Sequence, residues 1–498
     1  MLRGNIMLRK SVLALALSCA AILPAQAQLV LLAQGQLTGS KAGAGKDLSG
    51  LNYTLENGLP ANILGGIGSG LTYAGGNVFL AVPDRGPNAT PYNSAVDDTA
   101  SYISRFQTLT MTLTANPSAG LPFTLTPQLE KTTLLYNPTA LQYGTGAGLG
   151  TKADGTPLGS GAPVVNSAGR YYFSGRSDNY GAGSSGNPLD ARFDPEAIRV
   201  SKDGKSVFIS DEYGPYVRQF DRATGALVKT FTLPSNLNIS NLSPKGDTEI
   251  SGNTAGRTAN KGMEGLAITP DGKTLVGIMQ AALIQDASGP NANKDSKNMV
   301  RIVTIDIATG TTHEYGYMLT SGSGVSEIVA VNDHQFLVDE RDGKGLGDGT
   351  AAKTKQLFLI DLNNAKDITN LSGKDAAAKA ITKSSTPFLD LVAELGKVGV
   401  AATNVPAKIE GVSFGQDVTY NGATYHTLYL ANDNDFVPAT AGQNQFYVFG
   451  FQDKDLKGFV AQSVAAAPIP EPGMWAMLVA GFGAIGGVLR RRRPVANA

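Results

Sequence analysis

The chain has 498 residues, long enough for a large core, with 60 glycines and only 16% charged side chains, a balance that suits turn-rich β structure rather than solvated helices. Its formal net charge is zero, but three basic residues lie in residues 1–27 and four arginines stand at 490–493, so the body between carries 34 basic against at most 41 acidic side chains. A mildly acidic body excludes nucleic acid as a natural partner, because phosphate backbones require clustered Lys and Arg, and it favours cations.

Residues 1–27 have a basic start (Arg3, Arg9, Lys10), an apolar run from Val12 to Leu23 and a small-x-small end at Ala25-Gln26-Ala27. This is the pattern of a cleaved secretory signal. The only cysteine, Cys19, lies inside it, so the exported protein has no disulfide, no thiolate nucleophile and no Cys-based zinc site. The expected globular body is 28–464.

Within it one unit recurs. Near the N-terminus Ser69-Gly70-Leu71-Thr72-Tyr73 precedes Val78 to Val82 and then Asp84-Arg85-Gly86-Pro87. The clearest copy runs from Arg192 to Gly225: a strand at Ala197–Val200, an Asp203-Gly204 hairpin turn, strands at Ser206–Ile209 and Tyr216–Phe220, and a closing Thr224-Gly225 turn before Ala226-Leu227-Val228. Asp-Gly and Thr-Gly supply the positive-φ positions of tight turns, so four short strands follow one another as a single antiparallel sheet. Further copies begin at Met263-Glu264-Gly265-Leu266, Val325-Ser326-Glu327-Ile328 and Lys408-Ile409-Glu410-Gly411. Repeats of four-stranded sheets predict an all-β propeller of four-stranded antiparallel blades, five to seven of them and six favoured, with Ser101–Leu135 and Arg170–Ser177 as material for an additional blade. The inserts between copies read as loops on the propeller faces, with short helices expected at Asp375–Ala380 and Leu389–Leu395.

Four glutamates, Glu196, Glu264, Glu327 and Glu410, precede their strands at what reads as one offset. Since the first strand of each propeller blade lines the central channel, they are expected to meet in a ring at its mouth. A second tier of acids follows the next strand: Asp84, Asp211-Glu212, Asp339-Glu340 and Asp433. Crowded carboxylates repel and resist desolvation, and a bound hard cation relieves both. Oxygen ligands favour Ca²⁺. The expected metal set is therefore Glu196, Glu264, Glu327, Glu410, Asp84, Asp339 and Asp433, with Glu196, Glu264, Asp211 and Glu212 as catalytic carboxylates. Arg85, Tyr213, Arg218 and Arg341 are expected to face a substrate. The alternative is structural: acids that cap backbone amides or pair with arginine, in a non-catalytic propeller that binds an extracellular polymer or a protein.

Two patterns are set aside. Gly411-Val412-Ser413-Phe414-Gly415 matches the G-x-S-x-G nucleophile motif and His426 follows it, but that motif needs a strand-to-helix turn and here it falls inside a strand. His313, His334 and His426 share no metal-ligand spacing.

The chain ends on an Ala/Pro linker from Ala465, Pro470-Glu471-Pro472-Gly473, an uncharged apolar run at 474–489 and Arg490 to Arg493, with 490–498 as a basic tail. The apolar run is expected to sit in the membrane with the arginines on the cytoplasmic side. This tail resembles the PEP-CTERM sorting signal, which implies an exosortase as processing partner and delivery to the cell surface or extracellular matrix after a transient stay at the inner membrane. The body, over most of 60–450, resembles the phytase-like domain known as esterase-like activity of phytase. The pieces that carry this are Asp84-Arg85-Gly86-Pro87, Asp194-Pro195-Glu196-Ala197-Ile198, Ser210-Asp211-Glu212-Tyr213-Gly214-Pro215-Tyr216 and Met263-Glu264-Gly265-Leu266. The resemblance implies a β-propeller and a phosphoesterase or esterase activity, with Ca²⁺ held by carboxylates and a phosphate ester as substrate.

Overall fold

The computed structural model describes residues 29–89, 99–116, 120–144, 159–177, 187–214, 216–243 and 245–465. The expected leader at 1–27, the apolar run 474–489 and the basic tail lie outside the described residues.

Five antiparallel sheets of four principal strands each form the body. Blade I comprises Gly70–Tyr73, Val78–Val82, Arg105–Ala115 and Phe123–Leu134; blade II Pro195–Val200, Ser206–Asp211, Tyr216–Asp221 and Leu227–Thr232. Blade III comprises Met263–Ile268, Thr274–Met279, Met299–Asp306 and Thr312–Met318; blade IV Gly324–Ala330, Gln335–Arg341, Lys355–Asp361 and Leu389–Asp390. Blade V takes Ile409–Phe414, Ala423–Asn432 and Asn444–Phe451 from the C-terminal part and its outermost strand, Val30–Leu37, from the N-terminal part. This pairing joins the two ends of the body, and the outermost strand packs against Phe123–Leu134 of blade I.

The innermost strand of each blade touches that of the next, and blade V touches blade I, so the ring closes at five. The favoured count of six is thereby corrected. Ser101–Leu135 supplies the two outer strands of blade I, and the strand around Arg170 is only Tyr171–Tyr172, paired with Tyr136–Asn137 as a small ribbon. The short helices form at Gly373–Ala377 and Leu391–Lys397.

Five blades make a narrow axis, and small residues permit it. A Cβ on Gly265 would stand 2.8 Å from Ile328 N, and one on Gly411 2.9 Å from Gly68 O. The glycine of the Glu-Gly-Leu and Glu-Gly-Val motifs is thus required by the close approach of neighbouring innermost strands. Immediately before it the register shifts, between Met263 and Gly265 in blade III and between Ile409 and Gly411 in blade V. Each bulge seats one extra residue, the glutamate, at the mouth of the channel, where a bulge re-aims a side chain.

After Phe451 the chain crosses the opposite face. Val460 N donates to Val331 O at the first hairpin of blade IV (2.8 Å), and Ala465 N to Lys202 O at the first hairpin of blade II (3.0 Å). Leu456 is buried in the core cluster under blades IV and V, and Val464 packs against the cluster between blades I and II. The segment is a strap across the base of the propeller.

Candidate functional site

The mouth of the channel opens into a cavity of about 690 Å³ lined by Asp84, Arg85, Glu196, Glu212, Glu264, Lys408 and Glu410 among others. Three of the four expected glutamates therefore converge, and the fourth does not. In blade IV the register shifts between Val325 and Glu327, so Ser326 occupies the bulge and Glu327 takes the place that Gly265 and Gly411 hold elsewhere. A shift of one residue changes the face a side chain serves. Glu327 lies down the axis, where its Oε2 is 2.8 Å from the Arg199 guanidinium. Arg199 in turn donates to the carbonyls of Leu71 (2.7 Å) and Ile328 (3.0 Å), on the innermost strands of blades I and IV.

On the blade II side of the cavity Asp194, Glu196 and Glu212 bring one carboxylate oxygen each within 4.8 Å of one another, all three buried. Asp194, absent from the sequence expectation, accepts from Arg85 N (2.9 Å) and from the Arg85 guanidinium (3.2 Å). Glu212 Oε1 accepts from Gly262 N at 2.7 Å. Glu196 is 7% exposed, and among the described residues nothing donates a hydrogen bond or an ion pair to its carboxylate. Glu264 Oε2 is likewise buried without a hydrogen-bond donor, and its nearest cation, Arg341, stands 4.0 Å from Oε1. Burial, then the Asp194 carboxylate, pushes Glu212 up to about 8. Burial, then Asp194 and Glu264, holds Glu196 well above the usual carboxylate range, and burial with Glu212 and Glu410 does the same to Glu264. Buried oxygens lacking donors are costly unless a proton or a cation meets them. These acidic clusters can bind a metal ion, and the Asp194–Glu196–Glu212 donor set, oxygen only, fits a hard one.

On the blade V side, Asp84, Asp433 and Asp435 form a second group with oxygens within 4.8 Å. Lys408 Nζ stands 2.6 Å from Asp433 and 2.7 Å from Asp435. Glu410 pairs with Arg341, which also donates to Ser326 Oγ at 2.6 Å.

The remaining expected residues lie elsewhere. Asp211 accepts from Asp194 N and Tyr213 N and pairs with buried Arg218, whose guanidinium lies over Phe193 and Phe173; together they fix the turn that presents Glu212. Tyr213 is buried with its hydroxyl on Gly175 O (2.9 Å). Asp339 is buried beside Glu327 in the strand pair and does not line the cavity. Ser413 is in mid-strand, accepting from Tyr73 N and donating to Phe414 O, while His426 is held between Asp417 and Asp453 on the surface. His313 and His334 each pair with one exposed aspartate.

One wall of the cavity has no counterpart in the repeat. The insert after blade II carries the helix Gly246–Gly252, whose Glu249 lies 3.7 Å from Arg192 and 3.6 Å from Arg257. Arg257 donates to Tyr213 O (2.6 Å), and Asn260 meets Arg85, so the insert is pinned to the Asp-Glu-Tyr turn and faces the carboxylates.

Fold and site define a five-bladed β-propeller with an acid-lined, blind cavity at one end of its axis. The phytase-like family model, described as esterase-like activity of phytase, matches residues 62–436, and the chain belongs to that family. The PEP-CTERM protein-sorting motif matches residues 468–493, which implies exosortase processing. An uncharacterized secreted protein of Arthroderma benhamiae is 32% identical over 437 residues, covering 77% of this chain and 78% of the relative. The sorting motif and the secreted relative support export to the cell surface. Among solved structures, hydrazine synthase of Kuenenia stuttgartiensis aligns at 12% identity and TM-score 0.30 over 79% of this chain and 82% of that one. A luciferin-regenerating enzyme aligns at 10% identity and TM-score 0.29, covering 80% and 96%. At so low a likeness, neither neighbour's chemistry bears on this chain. Among the described residues no helix is long and apolar enough to cross a membrane.

Proposed function

We propose that the protein is an exported phosphoesterase that hydrolyses phosphate esters with Ca²⁺ held by Asp194, Glu196 and Glu212. The observation that carries this is the Glu196 carboxylate: nine-tenths buried, facing the cavity and without a donor, beside two more buried carboxylates. Such a group favours a bound cation or a proton, and Ca²⁺ suits three carboxylates on a mouth with room for water and substrate. When bound, the ion supplies positive charge to phosphate oxygens and makes an attacking water more acidic.

The chain's own residues supply the rest. Arg85, which Asp194 orients, and Arg341, which Glu410 orients, present guanidinium groups to the same cavity and suit phosphate oxygens geometrically. Burial beside Glu212 and Glu410 favours the protonated form of Glu264, and its Oε2, which no protein group meets, is where it would hold that proton. In the reaction a water oxygen bonds to phosphorus and the ester P–O bond breaks. Glu264 gives its proton to the departing alcohol oxygen, and the water's proton restores the carboxylic acid. The insert wall, through Asn260 and Arg257, closes one side against bulk water.

The test is phosphate release from phytate and p-nitrophenyl phosphate, with and without EGTA, in wild type, Glu196→Gln and Glu264→Gln. Release that EGTA and both substitutions abolish supports the reading. Release indifferent to all three overturns it, and no release from any phosphate or carboxylic ester, with cation binding retained, favours the binding module.

A further inference from the structure

The two acidic groups of the cavity are not alike in what neutralises them. Asp194, Glu196 and Glu212 leave Glu196 without a partner, whereas Asp84, Asp433 and Asp435 already hold a cation of the chain's own. Lys408 Nζ sits 2.6 Å from Asp433 Oδ2, 2.7 Å from Asp435 Oδ1 and 3.9 Å from Glu410 Oε1. Asp433 is fully buried at its side chain, and Lys408 is 29% exposed, so the ammonium enters from the cavity and plugs the group. Asp84 makes one hydrogen bond, from Gly86 N, and joins the group without an ion pair of its own among the described residues. It lines the same cavity as Glu196.

We infer that Lys408 is a tethered cation occupying the second of two carboxylate sites, so that the cavity takes one exchangeable divalent ion rather than two. The inference rests on the reading of Asp194–Glu196–Glu212 as the exchangeable site, but the position of Lys408 stands apart from it. The ammonium needs no loading and cannot be chelated. It fixes the orientation of Asp433 and Asp435 whether or not the other ion is bound, and it offsets part of their negative charge on that side of the cavity.

The experiment is the number of Ca²⁺ ions per chain, measured by equilibrium dialysis and elemental analysis at pH 8, for wild type, Lys408→Met, Lys408→Arg and Asp435→Asn. Expected values are one for wild type and Lys408→Arg, two for Lys408→Met, and one for Asp435→Asn. Two ions on wild type falling to one on Asp435→Asn would overturn the inference, as would a folded Lys408→Met chain that still binds one. Lys408→Met uncovers buried carboxylates and is to be refolded with and without Ca²⁺; should it not fold, the wild-type and Asp435→Asn values decide. No ion on wild type but one on Lys408→Met would defeat the Glu196 site while sustaining the role of Lys408.

Discussion

Arg199 and Glu327 close the axis of the propeller, their charged atoms 2.8 Å apart and both side chains buried. The pair joins all five innermost strands: Arg199 belongs to blade II and Glu327 to blade IV, the Arg199 guanidinium also reaches the Leu71 and Val412 carbonyls of blades I and V, and Glu327 Oε1 accepts from Leu266 N of blade III at 3.0 Å. It makes the cavity blind, and together with the basal strap it leaves the mouth as the way in.

Removing one member of a buried pair strands the other charge, at about 3–5 kcal/mol. Arg199→Met is therefore expected to lower unfolding stability by that amount, and Arg199→Met with Glu327→Gln to recover much of it. Denaturant titrations of the three proteins measure this; a double variant no better than the single would mean the pair does more than neutralise itself.

The strap should matter to stability in its own right. Leu456 is 2% exposed in the core under blades IV and V, so Leu456→Ala should cost about 2–4 kcal/mol in the same titrations. A cost near zero would mean that the strap is merely laid on the surface.

How far the sequence carries depends on what the repeat encodes. Gly265 and Gly411 mark their bulges because only glycine fits the narrow axis, so Glu264 and Glu410 are legible from the motif. Ser326-Glu327-Ile328 has the acid one place later and no small residue after it, which is the signal that Glu327 serves the axis and not the mouth. Asp194 was within reach, two residues from Glu196 in the same Asp-Pro-Glu triplet. Glu249, Arg257 and Asn260 were not, because they come from an insert with no second copy for comparison. The outer strand of blade V was hidden for another reason: its partner is more than 400 residues away in the chain, and local patterning does not encode who closes a ring.

Burial of the carboxylates sets a pH dependence with a definite sign. Burial pushes Glu212 up to about 8 in the folded chain against an ordinary 4.5, so between those values the folded state binds more protons than the unfolded. Stability of the cation-free protein must then fall as pH rises through this window. Ca²⁺ competes with those protons, so its stabilising effect should be small at pH 5 and large at pH 8. Melting temperatures with EGTA and with excess Ca²⁺ across that range check both statements; a cation-free protein that gains stability from pH 5 to 8 would contradict the first.

Glu196→Gln separates stability from function. It replaces a buried, donorless carboxylate with a neutral amide of the same shape, so the cation-free variant should be more stable than wild type at pH 8, by on the order of 1 kcal/mol. The difference should shrink as pH falls, because burial and the neighbouring carboxylates favour the protonated form of Glu196. Equal stability of the two proteins at pH 8 would mean that Glu196 has a partner after all.

The most direct measurement is a calorimetric titration of Ca²⁺ into the cation-free exported protein at pH 8, in two buffers of different ionisation enthalpy. A saturable binding event that releases protons, present in wild type and lost in Glu196→Gln, is the predicted result. Binding unaffected by that substitution, or no binding at all, would contradict a cation centre at the mouth of the propeller.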